Sequence, residues 1–281
     1  MLRFNIAGLS IAINTNRNYA LPDAYRDFYD SISEVSDNTD FSIDIFGSKK
    51  TSSDINGIEH LFDSGGPWRL YRDKDNCYIV VSDSRKLIID RSISHAELYV
   101  KSPHSNRRYP FPFSYPLDEI FIINLLTAYS GILVHACGID DNGHGLLFAG
   151  TSGTGKSTTA RLWSDINGIT ILSDDRIILR KINGKLYACG TPWHGDAKVS
   201  SPEKVVLEKV LFLNHAQRNK MKRIKGIDAV SRLLVCSFPT FYDKKGMEST
   251  LRFIDEIVGK VPCYVLDFLP DKGVIDFVRG R

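Results

Sequence analysis

The sequence predicts an α/β, or α+β, protein in two parts: a smaller β-rich N-terminal domain over 1–115 and a mixed-sheet domain of strands and helices over 116–281. Three observations lead there. Up to about residue 105, short alternating or apolar runs such as 78–82, 86–90 and 96–100 are separated by Asp, Asn, Ser and Gly, as in strands joined by tight turns. Three prolines within 109–116 then interrupt the chain, because such a stretch neither continues a helix nor fits a central strand. Beyond it, strand-like and helix-like runs alternate. Hydrophobic residues make up 43% of the 281, enough for the buried core of a soluble globular protein.

The elements follow in order. In the first part, Gly65, Gly66 and Pro67 break the pattern, and 73–76 reads as a hairpin turn between 68–71 and the next strand. His60, His95 and His104 each stand alone, which suits structural or solvent-facing roles. In the second part, apolar Ile120, Phe121, Ile123, Leu125 and Leu126 give 117–130 the spacing of a helix that Gly131 stops. A strand at 132–136, a turn at 140–143 and a returning strand at 145–149 make a hairpin. Thr159, Ala160, Leu162 and Trp163 have helical spacing, and 169–173 is a buried strand ending on Asp174 and Asp175. A second hairpin, 176–182 with 186–189, turns on Asn183 and Gly184 and runs into a loop at 190–196. Strands at 205–213 and 263–269 and helices at 227–236 and 248–258 complete the chain, with no internal repeat.

Charge and cysteine usage exclude several classes. With 36 basic against 33 acidic residues, nothing argues for a nucleic-acid partner. The densest basic cluster, Arg218, Lys220, Lys222, Arg223 and Lys225, reads as a solvated face, with an acidic partner as the alternative. Cys77, Cys137, Cys189, Cys236 and Cys263 are scattered without a C-x-x-C pair, so neither a zinc cluster nor a disulfide framework is expected, and most should be buried thiols. No run approaches membrane-spanning length, and the opening residues are interrupted too soon by Asn14, Asn16 and Arg17 for a signal peptide. The expectation is a cytoplasmic protein without a membrane partner.

The chemistry concentrates in Gly150, Thr151, Ser152, Gly153, Thr154, Gly155, Lys156 and Ser157, which match G-x-x-x-x-G-K-[ST] at every fixed position behind the apolar run 145–149. Glycines at those positions let successive N–H groups turn toward one anion, the lysine reaches the outer phosphates and the hydroxyl can ligate Mg²⁺. ATP or GTP is the expected ligand, with Thr158 continuing the binding segment. Transfer chemistry also needs a metal anchor and a group for the acceptor's proton, and Asp174 and Asp175, leaving a strand soon after the loop, can supply both. His135 lies in the strand beside the one that feeds the loop. Because a hairpin delivers that loop, where the ordinary phosphate-loop fold uses the first strand of a parallel sheet, the sheet is expected to be mixed.

Taken together, 132–135, 145–157 and 172–175 resemble the catalytic domain of HPr kinase/phosphorylase, which is related in fold to the ATP-dependent phosphoenolpyruvate carboxykinases. The strong part of the resemblance covers about 132–175, with weaker echoes at 211–213, 229–234 and the last strand. It implies a mixed-sheet P-loop kinase domain that uses ATP and Mg²⁺. It also implies His135 near the transferred phosphate, Asp174 as general base, and Asp175 with Ser157 as Mg²⁺ ligands, the two aspartate roles being exchangeable. The chain further resembles smaller HPr-kinase-like proteins, some of which phosphorylate a serine on a precursor peptide in peptide-modifying pathways. The resulting expectation is a kinase moving the γ-phosphate of ATP to a serine-type hydroxyl of a peptide or protein. A small-molecule hydroxyl acceptor, and a nucleotide-dependent switch without transfer, stand as alternatives, with a carboxykinase acting on oxaloacetate weaker still. Trp193, His194 and Asp196, a loop with a planar apolar face beside polar groups, are the candidate acceptor contacts. The β-rich half is left to acceptor recognition or assembly, with homo-oligomerisation open.

Overall fold

The computed structural model describes residues 1–29, 39–48, 58–82, 84–101 and 109–280. The chain divides into two compact units, Met1–Leu125 and Leu126–Arg281. The first contains β1 (Leu2–Ile6), β2 (Leu9–Asn14), β3 (Tyr19–Ala20), α1 (Asp23–Arg26), β4 (Phe41–Ser48) and β5 (Glu59–Asp63). It continues with β6 (Trp68–Arg72), β7 (Tyr78–Ser82), β8 (Arg85–Ile89), β9 (His95–Lys101) and β10 (Tyr109–Pro110). The changeover falls inside α2 (Leu117–Ala128), so most of a helix that the sequence groups with the second part lies in the first unit.

Among the described residues, the first unit forms a sheet ordered β1-β2-β4-β9-β8-β7-β6-β5. It is mixed: β2–β4 and β4–β9 are parallel, and the other pairs are antiparallel. Alternation decides which face is buried, since Phe41, Ile43 and Ile45 point inward while Ser42 and Asp44 between them stay half-exposed. The proline-rich stretch serves this core: Phe111 and Phe113 are buried, and the Arg85 guanidinium donates to the carbonyls of Pro112, Ser114 and Tyr115. The isolated histidines here have local partners. His95 Nδ1 is 2.9 Å from Ser42 Oγ, and the His60 ring meets Tyr71 edge-on. His104 lies outside the described residues.

The second unit continues with β11 (Gly131–Asp141), β12 (His144–Ala149), α3 (Lys156–Ser164), β13 (Ile169–Ser173), β14 (Arg176–Ile182), β15 (Lys185–Cys189) and β16 (Lys204–His215). It ends with β17 (Lys220–Ile224), α4 (Gly226–Val235), α5 (Lys244–Lys260), β18 (Cys263–Phe268) and α6 (Gly273–Arg279). The main path of its sheet is β12-β11-β14-β15-β16-β18-β17, with β13 paired to β11 and an additional β12–β16 pairing. Only β12–β16 and β16–β18 are parallel, so the sheet is mixed, as the hairpin before the phosphate loop suggested. Both hairpins turn on Asn-Gly with positive φ at each residue: 55° and 89° at Asn142 and Gly143, 49° and 79° at Asn183 and Gly184. That is the turn whose twist matches two antiparallel strands.

Burial on both faces explains the nearly continuous apolar character of β12, β16 and β18. Leu147, Ala149, Val210, Phe212 and Cys263 face a core closed by Ala229 and Leu233 of α4 and Phe253, Ile254 and Ile257 of α5. Their neighbours Leu146, Phe148, Leu211, Leu213 and Phe268 face a second core closed by Trp163 of α3 and Val274, Ile275 and Val278 of α6. The architecture is thus helices on either side of a mixed sheet. Several bounds differ from those read in the sequence: Gly131 opens β11, β16 runs on to His215, and α5 starts at Lys244, where Asp243 accepts from Gly246 N–H at 2.6 Å. The basic cluster is strand β17, and α6 is a helix the sequence reading passed over. Among the described residues no helix is long and apolar enough to cross a membrane. Cys137, Cys189, Cys236 and Cys263 are buried free thiols, and Cys77 is half-buried.

The last helix is clasped to the sheet. Arg279 donates from Nη2 to Asp141 Oδ1 at 2.6 Å and from Nε to Oδ2 at 2.8 Å, and the Asp141 side chain is only 6% exposed. Burial pushes the Asp141 carboxyl up, but the guanidinium outweighs it and holds the group below the usual carboxylate range. A carboxyl depressed in the folded state contributes stability above its unfolded pKa of ~4, and that contribution is lost as pH falls through the folded value. Arg279→Ala should therefore cost ~1–3 kcal/mol at neutral pH, with the gap from the parent narrowing as the medium becomes strongly acidic. Urea unfolding at several pH values measures this, and identical midpoints at pH 7 would show that the clasp contributes nothing.

Candidate functional site

The glycine-rich loop 150–155, the candidate phosphate loop, joins the buried end of β12 to α3. Gly155 has φ 103°, a conformation that strains any residue with a side chain, and a Cβ there would come within 2.9 Å of the Phe268 ring. A Cβ on Gly150 would come within 2.3 Å of Thr154 Oγ1, so the bend closes only because both positions are glycine. Thr154 Oγ1 donates to Thr151 O at 2.9 Å and tightens it. No side chain caps α3, which leaves its first-turn N–H groups directed into the bend, where they and the helix dipole favour an anion.

Lys156 points into the same bend. It is 6% exposed, and its Nζ donates to Gly150 O at 3.0 Å and Thr151 O at 2.8 Å. Burial pulls its pKa below the ordinary lysine value, and the Asp175 charge opposes that shift. From outside the bend, His215 at the end of β16 places Nε2 2.6 Å from Gly153 O. That contact fixes the peptide whose N–H, on Thr154, donates to Thr151 O at 3.4 Å, so His215 braces the bend. His215→Ala should therefore weaken nucleotide binding about 5- to 10-fold, and His215→Gln, whose amide N–H has similar reach, should restore most of it. Titration with a fluorescent ATP analogue reads this directly; equal affinity for parent and alanine variant would leave His215 without a role in the loop.

The acidic doublet leaves β13 at Ser173, which is fully buried and organises the turn. Its Oγ donates to Trp193 O at 2.7 Å and accepts from the N–H groups of Asp175 and Arg176. The two carboxylates then diverge. Asp174 is 1% exposed and accepts Gly195 N–H on Oδ1 at 2.7 Å and Ala197 N–H on Oδ2 at 2.9 Å. It makes no ion pair among the described residues. Asp175 is held by side chains instead: Oδ1 lies 3.0 Å from His135 Nε2, and Oδ2 accepts from Arg176 Nη1 at 2.6 Å. Burial pushes Asp175 up, but the His135 hydrogen bond and the charges of Arg176, His135 and Lys156 together hold it below the usual carboxylate range. The strand register explains the grouping, because His135 of β11 pairs directly with Arg176 of β14. The Arg176 guanidinium in turn lies over the Phe238 ring, 4.4 Å from its centre.

One cavity of about 380 Å³ gathers these groups. Of the residues singled out in the sequence, His135, Ser152, Gly153, Gly155, Lys156, Ser157, Thr158, Asp174, Asp175 and Asp196 line it. Gly150, Thr151 and Thr154 shape the bend without lining the cavity. Trp193 and His194 are not brought to its wall: Trp193 is half-buried with its carbonyl on Ser173, and His194 is exposed beside Gly195 O. Arg161 and His215 are lining residues that the sequence reading missed, and Gly195 lines the cavity from within the candidate acceptor loop. Arg161 had a usable signal, lying one helical turn beyond Ser157; His215 had none, because only the sheet brings it to the loop. Among the described residues no three His, Cys, Asp or Glu side chains converge as a metal-binding group. No protein-family model matches the chain, and no curated protein matches it.

Proposed function

We propose that the chain is an ATP-dependent phosphotransferase that moves the γ-phosphate to a serine-type hydroxyl of a peptide or protein. The observation that carries this reading is the single cavity shared by the phosphate loop and the acidic doublet. A nucleotide-binding module needs the loop alone, whereas transfer also needs carboxylates beside it. The mixed sheet with a hairpin ahead of the loop suits a fold of the HPr kinase and phosphoenolpyruvate carboxykinase type.

The residues present fit the groups the reaction needs. The uncapped start of α3, the glycine-closed bend and buried Lys156 make a cradle for phosphate oxygens. Ser157 and Asp175 would hold Mg²⁺, which when bound neutralises charge on the phosphates. Asp175 suits that role because its surroundings keep it ionised. His135 and Arg176 fix its orientation. Asp174, whose partners are backbone N–H groups instead of cations, takes the proton from the acceptor hydroxyl as the new O–P bond forms. ADP leaves with the electrons of the broken bond. Lys156 and the loop N–H groups stabilise charge on the phosphoryl oxygens throughout. Asp196, on the loop anchored by Asp174, lines the same cavity and would meet the acceptor there.

The test is incubation with Mg²⁺ and γ-labelled ATP against serine-containing peptides, matched peptides with alanine in place of serine, and oxaloacetate. Label should appear on the serine peptides alone. Tight ATP binding with no labelled acceptor, in peptides or in cell extract, would make the chain a nucleotide switch. Phosphoenolpyruvate formed from oxaloacetate would make it a carboxykinase.

A further inference from the structure

The basic run at 218–225 is built around β17, the strand that ends the sheet path of the second unit with β18 as its partner. Lys220, Lys222 and Arg223 are exposed on it, Arg218 just before it and Lys225 just after. From Ala216 to Ile227 there are five cations and no acid, in a chain of net charge +3, so all other residues together carry −2. The protein's surplus of positive charge therefore sits on this one edge. None of the five joins an ion pair among the described residues. The strand is nevertheless firmly seated: Ile224 is 7% exposed, and Met221 packs against the core beneath α3 and α6.

We propose that the free edge of β17 docks an extended acidic peptide segment, which adds to the sheet as a further strand. Main-chain hydrogen bonds to the edge supply the pairing, and acidic side chains meet Lys220, Lys222 and Arg223. Edge lysines discourage neutral and basic strands, and the same charges select an acidic one. No aromatic residue lies between Ala216 and Ile227, so a single-stranded nucleic acid finds no stacking platform there. Ile227, 80% exposed just beyond the strand, offers the peptide one apolar contact. The strand begins at Lys220, shortly after the cavity-lining His215, which places the start of the docking edge beside the phosphate site. That the docked segment carries the acceptor hydroxyl rests on the phosphotransfer reading; the docking itself does not.

The experiment is fluorescence anisotropy of a short labelled peptide alternating Glu and Val, titrated with the full chain in the absence of nucleotide. Lys220→Glu combined with Lys222→Glu should weaken binding by ~10-fold or more, and rising salt should weaken the parent complex. N-methylating the set of alternate peptide amides that faces the edge should weaken binding comparably while leaving the charge intact, so both alternate sets are tested. Equal binding by the doubly substituted chain overturns the electrostatic basis. Equal binding by both methylated peptides overturns strand addition. Tighter binding of oligouridylate, or of phosphatidylserine vesicles, than of the acidic peptide would reassign the edge to another class of partner. Nucleotide binding, measured separately, reports on the phosphate site alone, so failure of either reading leaves the other standing.

Discussion

Lys156→Ala should lower kcat/KM for ATP by ~10²- to 10³-fold, the scale expected when one preorganised donor to a developing charge is removed. The size of the effect follows from where the ammonium sits. It is 6% exposed inside the bend, so its field on a phosphate is poorly screened, and no other lysine lines the cavity to replace it. Arg161 is the other strongly basic side chain of that wall, and it is exposed on α3 instead of buried within the loop. Lys156→Arg should not rescue, because the bulkier guanidinium must enter a bend already closed around Gly150 and Thr151 carbonyls. Nucleotide titration and labelled transfer measure both variants, and circular dichroism shows whether the fold survives. Near-parental turnover in the alanine variant would remove the loop from the chemistry.

The parts of this site that could be read from the sequence are those whose cause is local. A glycine at a bend too tight for a side chain, Asn-Gly between two apolar runs and an apolar strand ending on two aspartates are each settled within a few neighbouring residues. The unread parts are pairings made by the sheet. β16 runs parallel to β12, and its own C-terminal end then brings His215 to Gly153, 62 residues earlier in the chain. Arg279 reaches Asp141 across 138 residues. Neither pairing leaves a mark in the spacing of nearby side chains. β17 was missed for a different reason: three of its five residues are basic, so charge hid a strand held by its partner β18 and by the inward Ile224. The difference between the two aspartates is likewise tertiary, since adjacent identical residues acquire backbone partners in one case and the side chains of His135 and Arg176 in the other.

That difference should give Asp174→Asn the second large effect: nucleotide should bind with near-parental affinity while phosphoryl transfer falls by ~10²- to 10⁴-fold. Binding is spared because Asp174 touches neither the phosphate loop nor Lys156 in the network of hydrogen bonds. Transfer should be lost because the amide cannot take a proton. Its oxygen can still accept one of the two loop N–H groups, while its NH₂ faces the other and strains the 195–197 anchorage. Asp175→Asn should differ in kind. Removing the charge held between His135 and Arg176 should raise the Mg²⁺ concentration needed for half-maximal activity, a shift Asp174→Asn does not produce. Titrating Mg²⁺ at saturating ATP in both variants separates the roles. A Mg²⁺ shift confined to Asp174→Asn would exchange them, and full transfer by Asp174→Asn would leave the hydroxyl proton without its proposed acceptor.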